Sequence, residues 1–142
     1  MERLKERYAA LCHSRAAFLR AQKLYQEKLN QVDQSEREAY VASLVKHFEL
    51  FYEMLWKFFK AYLFEVYGIE TVGSKTIFRA CCEQRLISDV NLDQLLEIVE
   101  IRNNTIHMYD EIAALELASS IIGYYSAMDT LFQTVEATFT DA

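Results

Sequence analysis

Tyr40-Val41-Ala42-Ser43-Leu44-Val45-Lys46-His47-Phe48-Glu49-Leu50-Phe51-Tyr52-Glu53-Met54-Leu55-Trp56-Lys57-Phe58-Phe59-Lys60-Ala61-Tyr62-Leu63-Phe64-Glu65-Val66 runs without a single glycine or proline. Tyr40, Leu44, Phe48, Phe51, Leu55, Phe58, Tyr62 and Val66 recur at intervals of three or four, the period of one helix face. Val41, Val45, Tyr52, Trp56, Phe59 and Leu63 form a second apolar row beside the first. A monomer of four short helices would struggle to cover both rows, so the pattern predicts a bundle with an added interface. Gly68 supplies the left-handed residue that ends the helix.

Outward from this run, the same logic predicts helices on both sides. Upstream, a first helix is expected over residues 2–31, carrying Leu4, Tyr8, Leu11, Phe18, Tyr25 and Leu29. The polar link Asp33-Gln34-Ser35 follows, with Ser35 and Glu38 spaced as a capping box. Downstream, Ser74 is expected to cap a short helix to about Leu86, with Ile77 and Phe78 inward. Asn91 and Gln94 repeat the capping spacing before a helix with Leu92, Leu95, Leu96, Val99 and Ile106. Asp110 is the expected cap of a last helix with Ile112, Leu115, Ile122, Tyr125, Met128, Phe132, Val135 and Phe139 inward. Residues 138–142 are expected to fray.

Composition agrees with an all-α fold. Among 142 residues there is no proline and there are three glycines, far too few for the turns of a sandwich or barrel. The expectation is one helical domain over residues 1–142, an up-and-down four-helix bundle with an extra short helix. No uninterrupted apolar stretch is long enough to span a membrane. Met1 to Arg7 is charged and lacks a signal-peptide core, so a cytoplasmic location is expected. Cys12, Cys81 and Cys82 cannot pair evenly and lack metal-ligand spacing, so reduced thiols are expected. His13 and His47 have no partners at ligand spacing, and Glu49 and Glu53 lack matching Glu-x-x-His motifs, which argues against a metal.

The charge is uneven. Residues 1–31 hold seven Lys/Arg against three Asp/Glu, or +4, and the remainder holds eight against eighteen, or −10. Such a chain is a poor general binder of nucleic acid, and its basic first helix is expected to lie on its own acidic bundle or on an acidic partner.

Chemistry concentrates in Glu100-Ile101-Arg102-Asn103-Asn104-Thr105-Ile106-His107-Met108-Tyr109-Asp110-Glu111. Asn103 and His107, four apart, share a helix face. Arg102 is seven residues before Tyr109 and would align with it if the helix continued. Arginine clamps phosphate oxygens in a fork, asparagine orients, and histidine moves a proton near neutral pH. This set can cleave RNA without metal, or simply hold a nucleotide. It can also be structural, with His107 as a cap or core residue and Arg102 paired to Glu97 or Asp110. Glu53 is expected to approach Arg102 from the neighbouring helix, either as an ion pair or as a carboxylate orienting the site. Trp56 reads as core before base-stacking platform, and Lys57 as a snorkelling side chain before a site residue.

Arg102 to His107, extended by Tyr109, resembles the Arg-x-x-x-x-His-x-Tyr signature of the HEPN superfamily (higher eukaryotes and prokaryotes nucleotide-binding), as found in HepT-like toxins. Phe48 to Lys57 is similar to the Phe-Glu to Trp-Lys helix of the nucleotidyltransferase substrate-binding protein family. Ser74 to Ala80 with Leu86-Ile87 is similar to that family's next segment. These blocks cover about residues 40–115 in the family's order. The chain departs at Lys75, where the family usually has proline, at Leu92, near which it often has tryptophan, and at Ile106, commonly small and polar.

The resemblance implies a homodimer whose two signature motifs meet across the interface. It further implies a separately encoded minimal nucleotidyltransferase as partner, in a toxin–antitoxin-like pair. In the HepT-like branch the helical protein resembles a metal-independent endoribonuclease, silenced when its partner transfers AMP to the tyrosine of His-x-Tyr, here Tyr109. Arg102, His107 and Asn103 would then be catalytic, with Glu53 and Asp110 in support, and no cofactor is implied. In the substrate-binding branch the same cleft, Arg102, Asn103, His107 and Tyr109, presents nucleotide or substrate and cuts nothing. A homodimeric scaffold is the third reading. The chain has no Gly-rich phosphate loop and is not itself expected to be the nucleotidyltransferase.

Overall fold

The long apolar run forms one helix, α2 (Gln34–Tyr67), in the computed structural model, which describes residues 2–105 and 111–140 and the side chains of 2–102 and 117–139. Packed directly on it are α1 (Glu2–Lys28), α3 (Ser74–Glu83) and α5 (Glu111–Thr140), while α4 (Asp89–Thr105) packs on α3 and α5, with no strand among the described residues. The fold is the expected all-α bundle: α1, α2, α4 and α5 are its four long helices and α3 the extra short one.

Ring contacts give the directions. Tyr8 lies against Phe58 while Phe18 lies against Phe48 and Phe51, so α1 and α2 run antiparallel. Tyr8 also meets Phe132 and Phe139 while Phe18 meets Tyr125, so α1 is antiparallel to α5 as well. Arg15 ties the same pair of helices with a directional bond. Its Nε donates to Asp129 Oδ1 at 2.7 Å, and its guanidinium lies 4.6 Å over the Phe132 ring. Gln133 Nε2 donates to the other Asp129 oxygen at 2.7 Å. Part of the basic first helix thus lies on its own acidic bundle.

Both apolar rows of α2 are largely covered within the chain. Leu44, Phe48, Phe51, Leu55 and Phe58 of the first row are buried, and so are Val41, Tyr52, Phe59 and Leu63 of the second. The short α3 serves the second row: Ile77 and Phe78 are fully buried, and Phe78 meets Tyr52 edge-on at 6.3 Å. The expectation that one chain would struggle to cover the second row is therefore corrected, with α3 contributing at Tyr52. Only Val66, in the last turn, remains largely open to solvent.

The helix ends follow local hydrogen bonding, and several differ from expectation. Asp33 rather than Ser35 caps α2, its carboxylate accepting the Glu36 N–H at 2.9 Å. A charged acceptor there also complements the positive end of the helix dipole. Gly68, at φ 70°, ends α2 as expected, its N–H donating to the Phe64 carbonyl at 2.9 Å. Gly73 stands at the cap of α3 in place of Ser74, whose hydroxyl is engaged elsewhere. That helix stops at Glu83, short of Leu86, because Arg85 turns left-handed (φ 62°) and the Leu86 N–H closes back on the Cys81 carbonyl. Ser88 rather than Asn91 opens α4, its Oγ accepting the Asn91 N–H at 3.2 Å.

In α5 the buried stripe is Leu117, Ala118, Ile121, Met128, Phe132, Val135 and Phe139, with Tyr125 packed against it. Ile122, expected inside, is 40% exposed, since its neighbour Ile121 takes the inward position. The helix continues through Thr140 instead of fraying from 138, because Phe139 is held between Tyr8 and Phe58. Asp110, expected to cap α5, lies outside the described residues, as do the side chains of Ile112 and Leu115. No helix among the described residues is long and apolar enough to cross a membrane.

Cys12, Cys81 and Cys82 are free thiols. Burial pushes Cys81 from the ordinary thiol value of 9 up to about 12. The folded chain therefore keeps this proton where the unfolded chain releases it. Its stabilising effect is complete below pH 9 and is lost as pH rises toward 12. The urea midpoint should fall above pH 9, and Cys81→Ala should flatten that fall after a cavity cost of roughly 1 kcal/mol at pH 7.

Candidate functional site

Arg102 occupies a position that the α4 pattern assigns to an apolar side chain. Leu95, Ile98 and Val99 are buried on the inward stripe, and Arg102 follows them at helical spacing. The stripe carries the guanidinium toward α2 instead of releasing it to water, and the arginine side chain is 25% exposed. Its place in the last turn of α4 also suits a cation, since carbonyl dipoles converge there.

Two groups on α2 receive it, and a third flanks them. Arg102 Nη2 lies 2.6 Å from Glu53 Oε1, a charge-assisted hydrogen bond between half-buried partners. Its guanidinium carbon lies 5.3 Å from the Tyr52 ring centroid, within cation–π range. Lys57, one turn beyond Glu53, approaches the other carboxylate oxygen at 3.7 Å. Glu53 thus stands between two cations, one from its own helix and one from α4.

A second contact layer supports these. The Tyr52 hydroxyl donates to Ser74 Oγ at 2.9 Å, fastening α2 to the start of α3. Burial pushes the Tyr52 hydroxyl above the ordinary tyrosine range, with Ser74 and the Arg102 charge offsetting part of the rise. Lys75 forms an ion pair with Glu100 across α3 and α4. The Tyr124 hydroxyl of α5 donates to Glu97 at 3.1 Å.

The sequence-based candidates therefore divide. Glu53 and Arg102 are brought together, and Lys57 joins them. Glu97, one of the two alternative partners considered for Arg102, accepts from Tyr124. The side chain of Asn103, and His107, Tyr109 and Asp110 entirely, lie outside the described residues. Trp56 is half-buried at the edge of the core. Tyr52 and Ser74 were not among the expected site residues, because one reads as an apolar-row member and the other as a cap. The usable signal was the polar handle of a tyrosine inside a buried row, which requires a hydrogen-bond partner. Among the described residues no group of His, Cys, Asp and Glu is arranged to hold a metal ion.

Chemically, the arrangement restrains a guanidinium in position and angle. Such a group can present hydrogen-bond donors to phosphate, and the same pair equally joins α4 to α2.

Residues 9–137 match the model of a family described as nucleotidyltransferase substrate binding protein like. Among solved structures, the crystal structure of a Thermus thermophilus protein is similar to this chain with a TM-score of 0.66 and 26% identity. That match covers 82% of this chain and 96% of the other. No curated protein matches the chain.

The Glu53–Arg102 contact has a direct energetic test. Glu53→Gln and Arg102→Gln should each destabilise the fold by about 1–3 kcal/mol, with a coupling of about 1–2 kcal/mol in the double-mutant cycle. Urea titrations of the four proteins measure this; additive single effects would mean that the contact contributes no stability.

Proposed function

The chain belongs to the nucleotidyltransferase substrate-binding protein family, and from that premise we propose that it is the HEPN-type partner of a separately encoded minimal nucleotidyltransferase and a metal-independent endoribonuclease. The observation that carries this reading is Arg102. An arginine is drawn into an apolar stripe and fixed by Glu53 and Tyr52, five residues before His107. An ordinary surface arginine needs no such restraint. A phosphate-binding arginine gains from it, because ordering the side chain beforehand lowers the entropy lost on binding.

In this reading His107 removes the proton of a ribose 2′-hydroxyl, and the 2′-oxygen forms a bond to the adjacent phosphorus. The bond from phosphorus to the 5′-oxygen breaks, that oxygen takes a proton from solvent, and a cyclic phosphate remains. Arg102 stabilises the charge on the non-bridging oxygens and Asn103 orients the phosphate, with Glu53 and Asp110 in support. The active form is a homodimer in which two such sets face one cleft. Silencing follows when the Tyr109 hydroxyl attacks the α-phosphorus of ATP on the partner enzyme. AMP becomes linked to Tyr109, pyrophosphate leaves and the phenolic proton passes to solvent. The added phosphate places negative charge beside the groups that must receive RNA.

A noncatalytic reading, in which the cleft presents nucleotide or substrate to the nucleotidyltransferase, has its own support. Residues 32–142 carry a charge of −10, which opposes RNA, and Glu53 already neutralises the Arg102 charge.

Expression alone in a bacterium separates the two. The ribonuclease should arrest growth, His107→Ala should relieve the arrest, and co-expression of the cognate nucleotidyltransferase should add AMP at Tyr109, seen by mass spectrometry. Absence of both arrest and RNA cleavage by the purified protein would leave the noncatalytic reading.

A further inference from the structure

A second feature adjoins the Arg102 cluster through Lys57, where the start of α1 meets the end of α2 and the segment leading to α3. A groove of about 740 Å³ opens there, within the size range of small-molecule sites. Arg3 and Arg7 of α1 face Lys57 and Lys60 of α2 across it, with Trp56 and Phe64 on its apolar wall. Two carboxylates, Glu65 and Glu70, also line it, leaving cations in excess by two.

Two residues that line it also carry buried polar atoms. Arg7 Nε and Thr71 Oγ1 are both buried, and neither has a hydrogen-bond partner among the described residues. Thr71 is only 6% exposed. Leaving a buried polar group unsatisfied costs about 1–3 kcal/mol, and a side-chain rotation that turned either atom into the groove would let a bound anion recover that cost.

We propose that this groove binds a nucleoside polyphosphate, its phosphates meeting Arg3, Arg7 and Lys60 and its base lying against Trp56 and Phe64. The cations suit phosphate oxygens, and the Thr71 hydroxyl, once turned into the groove, can donate to one of them. The exposed ring of Phe64 and the indole of Trp56 offer an apolar surface for a base. A small anion fits better than a polynucleotide. It samples only the local positive field, whereas a long polyanion also meets the acidic remainder of the chain. Lys57, held by Glu53, lines the groove without being assigned a phosphate, so the proposed contacts do not draw on the reading given to Arg102 and His107.

Trp56 is the only tryptophan in the chain, so its fluorescence reports on this groove. Titration of the full-length protein with ATP should quench or shift the emission saturably, and added salt should weaken the effect. Tripolyphosphate and adenosine, each holding half of the contacts, should bind more weakly than ATP. Arg3 and Lys60 are exposed, so the double variant Arg3→Gln/Lys60→Gln should keep its helical circular dichroism while losing ATP affinity by at least about tenfold. Thr71→Val should weaken binding about threefold or more by removing the hydroxyl. Arg102→Ala should leave the titration in place. No saturable response to millimolar ATP, or one that survives Arg3→Gln/Lys60→Gln, would overturn the assignment. So would a response lost only in Arg102→Ala, or an RNA oligomer binding more tightly than ATP.

Discussion

The two-sided burial of α2 is the constraint on which the remaining elements depend. A helix with two adjacent rows of large side chains must find cover on both flanks. An aromatic seam covers one flank: Phe58 touches Tyr8, Phe59, Tyr62 and Phe139, while Phe18 touches Phe48, Phe51 and Tyr125. Edge and stacked ring pairs contribute roughly 0.5–1.5 kcal/mol each beyond their buried area, so the seam holds α1, α2 and α5 together. The other flank is left to α3, on which α4 packs in turn. The packing of α4 on α3 and α5 brings its end within side-chain reach of the middle of α2, where Arg102 meets Glu53.

Elements whose signal is periodic were legible in the sequence, and those set by a single hydrogen bond were less so. The rows of α2 and the inward pair Ile77 and Phe78 follow from spacing, because burial repeats every turn and one error does not erase the pattern. Caps have no such redundancy. Asp33 and Ser35, or Ser88 and Asn91, are equally good on chemical grounds, and the choice rests on where the chain leaves the preceding turn. Ile121 and Ile122 present the same difficulty within α5. The two isoleucines are chemically identical, and only the packing of the folded helix buries one and exposes the other.

The candidate site was legible to the extent that its chemistry is odd. Arginine at an inward helical position stands out against Leu95, Ile98 and Val99, and a carboxylate on the neighbouring helix is its natural complement. The Tyr52 contribution was hidden because a tyrosine in an apolar row looks like any other large ring. Its link to Ser74 is non-local, and nothing in either segment announces the other. The groove at the start of α1 was hidden for a similar reason. Arg3 and Arg7 are far from Lys57 and Lys60 in sequence, and only the antiparallel pairing of α1 with α2 brings the four charges together.

A bundle lined with interchangeable rings carries a hazard of its own. Phenylalanine packs on phenylalanine with little regard for which one it meets, so two such helices resist separation far better than sliding. The bond from Arg15 to Asp129 acts as a detent against that motion. A slip of α1 along α5 by one turn, about 5.4 Å, would leave many ring contacts replaceable but would carry the guanidinium beyond reach of its carboxylate. One charged hydrogen bond, set among many ring contacts, thereby favours a single vertical alignment of the stack.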